Sequence, residues 1–159
     1  LVEMLNEHFT AMTEIIFQHE GTLDKFIGDE IMAVYGSPLM ARDDALRAVR
    51  AAVAMQRKNA ELNQLRAERG EPPVHLGIGL STGEVIAGYI GSPDRMEFTA
   101  VGDAVNVASR LCSGARADTI IICAHTYDLV KHEFEAESIG ACELKGKEKP
   151  IEAFSILGI

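Results

Sequence analysis

The chain has no tryptophan, only three cysteines, and few aromatic residues, 6% of 159 positions. Cys112, Cys123 and Cys142 are odd in number, widely spaced and set among apolar neighbours. That pattern argues against a disulfide framework or a cysteine metal cluster and fits reduced thiols in a cytoplasmic domain. No apolar run approaches the ~20 residues that span a bilayer, so this domain is expected to make no membrane contact. Cations are scarce too: 15 Lys and Arg stand against 24 Asp and Glu, a formal net charge of −9. Such a field repels nucleic-acid phosphates and argues against a nucleic-acid partner. An anionic small ligand would therefore need a local group of cations or a bound metal. The five histidines are dispersed, with no zinc-pair spacing, and no Ser/His/Asp or Cys/His nucleophile arrangement stands out.

What is present is a regular alternation of patterns. A hydrophobic share of 47% and a charged share of 25% fit one globular domain with its own core. Val2, Leu5, Phe9, Met12 and Ile16 recur at helical spacing, a helix already under way at Leu1 with no capping residue before it. The expectation is that the chain begins inside an element, after a missing one. Thr22 to Ile27 and Ile31 to Tyr35, joined by Gly28-Asp29, read as a β-hairpin. A long helix from Asp43-Asp44 to about Arg69 follows and stops at Gly70 and Pro72-Pro73. Val74 to Leu80 and Val85 to Ile90 are expected to pair around Ser81-Thr82-Gly83. Met96 to Val101 is a strand, Thr119 to Cys123 another, Ala124 to Lys131 a short helix, and Ala141 to Leu144 and Ile151 to Leu157 closing strands. The class is α+β, a mainly antiparallel sheet with helices packed on it.

Phe98-Thr99-Ala100-Val101-Gly102 leads into Asp103-Ala104-Val105-Asn106-Val107-Ala108-Ser109-Arg110, a strand ending at glycine and a helix that Asp103 can cap. Asn106 and Arg110 project from one face about one turn apart. Asparagine both donates and accepts, and arginine carries a planar donor fork suited to phosphate. The segment reads either as a phosphate site or as a capped amphipathic helix. Asp29, at a tight turn after glycine, can hold Mg²⁺ through oxygen or serve the turn alone. Lys25 is by default an exposed strand lysine, and Lys145, Lys147 and Lys149 around Gly146 read as a solvated turn or a phosphate contact. Gly77, Gly79 and Gly83 lie in a strand and its turn, which is poor evidence for a dinucleotide fold.

Taken in order, Lys25-Phe26-Ile27-Gly28-Asp29, Gly77-Ile78-Gly79 with Thr82-Gly83, Phe98 to Gly102, Asn106 to Arg110 and Leu144-Lys145-Gly146 follow the succession found in class III nucleotide cyclases. Over nearly its whole length the chain resembles the catalytic domain of bacterial adenylate cyclases of that class. The resemblance implies a ferredoxin-like βαββαβ core whose first strand would precede Leu1. It implies a homodimer with two composite active sites, ATP as substrate, cyclic AMP and pyrophosphate as products, and two Mg²⁺ or Mn²⁺ ions per site. By position, Asp29 resembles one of the two metal-binding aspartates, and nothing in these residues matches the other. Lys25 and Thr99 resemble the adenine-reading pair, with threonine as in the cyanobacterial type. Asn106 would orient the ribose, Arg110 would stabilise the α-phosphate in the transition state, and Lys145 would hold the terminal phosphates. Asp29 would serve one site of the dimer and the other five residues of the same subunit the second. Upstream regulatory domains are also implied.

The chemistry suits these residue types. The 3′-hydroxyl is a poor nucleophile and pyrophosphate a highly charged leaving group. Two cations about 3.5–4 Å apart activate the first and neutralise the second in one in-line displacement. Two other readings stay open. One is a guanylate cyclase, against which Lys25 speaks, since a carboxylate would suit guanine better there. The other is a non-catalytic dimerisation or nucleotide-sensing module, which the unmatched aspartate favours.

Overall fold

A computed structural model of the chain describes residues 1–142 and 150–159. It places helix α1 at Val2–Gln18, strands β1 at Thr22–Ile27 and β2 at Glu30–Val34, and helix α2 at Asp44–Glu68. Strands β3 (Ile78–Leu80), β4 (Ile86–Ser92) and β5 (Arg95–Val101) follow, then helix α3 (Asp103–Gly114) and strand β6 (Ile120–Cys123). Helix α4 (Ala124–Val130) and strands β7 (Ala136–Cys142) and β8 (Ile151–Ile156) complete the order. The fold is α+β, as the patterning predicts.

The core is built around β6. Ile120, Ile121, Ile122 and Cys123 are all buried, because helices cover both faces of the sheet at this strand. Ile120 and Ile122 pack with Val49, Ala52 and Val53 of α2, Val130 of α4 and Ile156 of β8. Ile121 and Cys123 point the other way, onto Val107 and Leu111 of α3 and Ala153 of β8. Each isoleucine so enclosed contributes about 1.5–3 kcal/mol relative to exposure. The sheet order is β3-β6-β8-β7, with β3 parallel to β6 and the remaining pairs antiparallel. Two hairpins, β1-β2 and β4-β5, stand beside it.

One expected pairing is corrected. Val74–Leu80 does not pair with Val85–Ile90. Only Ile78–Leu80 is strand, and it joins β6, while β4 pairs with β5 in continuous register from Ile86↔Val101 to Ser92↔Arg95. The reason lies in α2. The Val74 carbonyl accepts from the side-chain amides of Asn59 and Asn63, and the Val74 N–H donates to Asn63 Oδ1, each at 2.8 Å. Gln56 Nε2 donates to the Leu76 carbonyl at 2.7 Å, and Asp118 Oδ1 accepts from the Leu76 N–H. These side chains satisfy the backbone groups that a strand partner would otherwise take.

Candidate active site

The β1-β2 ladder carries one extra residue. Leu23 pairs with Ala33 and Lys25 with Met32, so Asp24 is a bulge. Cross-strand partners share a face of the pleat. The register therefore keeps Leu23 and Phe26 on the side covered by α1, where Phe9 stacks on Phe26 at 4.5 Å between ring centroids, and turns Lys25 to the other side. The Asp24 side chain, 0% exposed, crosses to β5. Its Oδ2 accepts from the Ala100 N–H at 2.9 Å and, in a longer contact, from the Thr99 hydroxyl at 3.4 Å. Its Oδ1 lies 3.8 Å from Lys25 Nζ. Lys25 and Thr99, expected to act as a pair, are thus brought together by a third residue that the motif reading passed over. A signal was available: Leu23 and Phe26, three apart, break the two-residue alternation of a regular strand.

Asn106 and Arg110 both lie on the exposed side of α3, opposite the face that buries Val107 and Leu111. Among the described residues Arg110 makes no ion pair, so its donor fork is available to a ligand. The start of α3 differs in detail from the expectation. Gly102 occupies the cap position, and Asp103 stands in the first helical turn, where the helix dipole favours a negative side chain. Only glycine suits the cap, with φ at +153° and a would-be Cβ 2.8 Å from the Glu84 carbonyl oxygen. Farther along, Gly79 of β3 lies against the α3 backbone, which sets the depth at which the helix rests on the sheet.

Asp29 is exposed at the β1-β2 turn, entered through Gly28 at φ +60°. It borders a cavity of about 650 Å³ enclosed by β2, by residues 74–83, by His8 and Met12 of α1 and by Ala104 and Ala108 of α3. Among the described residues β2 pairs only with β1 and β3 only with β6, so both strands turn an unpaired edge toward that cavity. His8 is buried there, its Nδ1 without a hydrogen-bond partner among the described residues. Burial, reinforced by the Arg66 guanidinium, pushes its imidazole below the usual value, and Asp29 opposes them. Two hard cations close together need several bridging oxygens. Among the described residues no group of three His, Cys, Asp or Glu side chains could hold a metal ion, so Asp29 alone does not complete such a site. Lys145 lies outside the described residues.

Comparison with known proteins places the fold in a family. The model of the adenylate and guanylate cyclase catalytic domain matches residues 1–158. The chain belongs to that family. It is 30% identical over 166 residues to adenylate cyclase 1 of Rhizobium meliloti, covering 100% of this chain and 24% of that protein. The adenylyl cyclase CyaB from P. aeruginosa superposes with a TM-score of 0.95 at 33% identity, covering 100% of this chain and 83% of that one. The guanylyl cyclase Cya2 gives a TM-score of 0.90 at 35% identity, with coverage of 99% and 80%. This cyclase domain spans about a quarter of the length of the curated relatives it matches. Neighbours named for each purine stand at nearly equal identity, so overall similarity identifies a class III nucleotide cyclase domain without separating ATP from GTP. That distinction rests on side chains.

Proposed function

We propose that the cyclase domain converts ATP to 3′,5′-cyclic AMP and pyrophosphate as a homodimer. The observation that carries this reading is the convergence of Lys25 and Thr99 on Asp24, a cation and a hydroxyl held side by side on β1 and β5. Adenine offers a bare ring nitrogen and an amine along its edge. Lys25 donates to the nitrogen and Thr99 meets the amine. Asn106 orients the ribose so that the 3′-oxygen faces the α-phosphorus. Nucleophile and electrophile sit in one molecule, and holding it bent removes most of the entropic barrier. The O3′–P bond forms, the bond from phosphorus to the bridging oxygen of pyrophosphate breaks, and the hydroxyl proton passes to water. Arg110 places donors where negative charge grows on the α-phosphate. Lys145 is assigned to the terminal phosphates.

Asp29 is proposed to give an oxygen ligand to a divalent cation, which neutralises triphosphate charge when bound. Dimerisation is supported by the β4-β5 hairpin, which exposes apolar side chains on both faces: Ile86, 73% exposed, with Val101 on one and Tyr89, 71% exposed, with Met96 on the other. Contiguous exposure of this kind marks an interface.

The test is the kcat/KM ratio for ATP over GTP in Lys25→Glu, expected to fall roughly tenfold to a hundredfold because a polar edge loses its partner. An unchanged ratio would remove Lys25 from the purine site. The second reading, a non-catalytic sensing module, is favoured by the incomplete metal-ligand set among the described residues. It predicts nucleotide binding without turnover in the full-length protein.

A further inference from the structure

We propose that Asp24 is a positioning residue that sets the hydrogen-bonding polarity of the purine site, and so selects adenine. The inference rests on the assignment of Lys25 and Thr99 to the base and goes beyond it. A threonine hydroxyl can either donate or accept, so on its own it suits the adenine amine and the guanine carbonyl equally. Asp24 removes that freedom. An ionised carboxylate only accepts, so the Thr99 hydroxyl, 3.4 Å from Asp24 Oδ2, directs its one proton at Asp24. What Thr99 then presents to a ligand is a lone pair. That lone pair matches the amine of adenine and is repelled by the carbonyl oxygen of guanine.

The same carboxylate disciplines Lys25. Among the described residues Asp24 Oδ1 is buried without a hydrogen-bond partner, and Lys25 Nζ at 3.8 Å is a cation beside it. A buried charge that lacks a full set of hydrogen bonds draws strongly on a neighbouring opposite charge. Lys25, 31% exposed, is thus held on the inner side of its range with N–H donors left over for a ring acceptor. Adenine has such an acceptor next to its amine, whereas guanine has an N–H there. Donor from Lys25 and acceptor from Thr99 form the complement of adenine alone. The bulge makes this arrangement possible, because it lets Asp24 reach β5 while Lys25 keeps its place opposite Met32.

The decisive variant is Asp24→Ala, measured in the full-length protein. It removes Oδ2, the oxygen that accepts from both the Ala100 N–H and the Thr99 hydroxyl, so Thr99 is free to donate outward. The expected result is a fall of roughly tenfold or more in the ATP/GTP ratio of kcat/KM, carried mainly by KM, with kcat/KM for GTP rising in absolute terms. In a Thr99→Val background the effect of Asp24→Ala on GTP should vanish, since there is no hydroxyl left to reorient. Thr99→Ser should keep the native ratio. If Asp24→Ala does not fold, the Thr99 pair still decides: equal ratios for Thr99→Val and Thr99→Ser would overturn the proposal. An Asp24→Ala enzyme that slows equally on both nucleotides would also overturn it, since that is the mark of a merely structural role. The Lys25→Glu ratio keeps the two levels apart. If it falls while Asp24→Ala changes nothing, the purine site stands and Asp24 does not set its polarity.

Discussion

Gly79 lies so close to Cys112 that a methyl group on it would sit 2.3 Å from the Cys112 amide nitrogen and 2.6 Å from the Ala108 carbonyl oxygen. Both are backbone atoms of α3, so no side chain can swing away to make room. Gly79→Ala must therefore push β3 and α3 apart. It should cost about 1–3 kcal/mol or more, as overpacking does, and be read as a lower urea midpoint. Activity should fall further than stability does, because α3 carries Asn106 and Arg110. Gly88→Ala, with no atom of the described residues within 4 Å of the added carbon, is the control and should stay within about 0.5 kcal/mol of the parent.

Asp29 and Arg110 are assigned to different active sites of a dimer. Asp29→Ala and Arg110→Ala should each inactivate the homodimer, the second by about a hundredfold in kcat or more. Mixed, the two variants should regain activity, since one of the two sites in each heterodimer then keeps both residues. Heterodimers that form, shown by two affinity tags, and yet stay inactive would rule out the composite arrangement.

His8 makes stability depend on pH. Its imidazole is buried, and its proton affinity in the folded chain is lowered, chiefly by desolvation. The unfolded chain then binds more protons below its ordinary value of about 6.5. The contribution is fully present above that value and is lost as the pH falls through the lower folded one. Tm should therefore drop on acidification from about pH 6.5, and less so in His8→Gln, where no proton is taken up on unfolding. Parallel Tm profiles for the two proteins would show that His8 does not couple to unfolding.

Among the described residues, β2 and β3 each turn an unpaired edge toward one cavity. A strand placed there would hydrogen-bond to both and close the separate ladders into a larger sheet. Adding an N-terminal segment in which an apolar run ends in aspartate should raise both Tm and Mg²⁺-dependent cyclic AMP production. An extension that leaves Tm where it is would argue against a strand in that gap.

Much of this fold was legible because the residues concerned report their own surroundings. The run Ile120 to Cys123 is apolar at every position, which suits a strand covered on both faces, and the spacing of Val2 to Ile16 marks α1 without ambiguity. Val74 to Gly77 was misread because its hydrogen-bond partners are amides some ten to twenty positions away on α2, which no local pattern reveals. The pairing of β3 with β6 was hidden for the same reason, being a parallel contact between distant segments. At the site, Lys25, Thr99, Asn106 and Arg110 were visible as chemical types in order. Asp24 was not, because a lone aspartate in a strand reads as a solvent-facing residue until the bulge turns it inward.

That bulge also makes the proposed purine site unusually easy to alter by inheritance. Leu23 and Lys25 behave on the ladder as if they were adjacent, each with its own partner on β2. Deleting Asp24 would join them directly, leave the pairs Leu23↔Ala33 and Lys25↔Met32 in place, and keep the turn at Gly28 unshifted. Most deletions within a strand invert every side chain beyond them. Here the loss of a single codon would remove one carboxylate and leave the rest of the hairpin facing as before, so the residue proposed to set nucleotide choice can be gained or lost without rebuilding the strand that holds it.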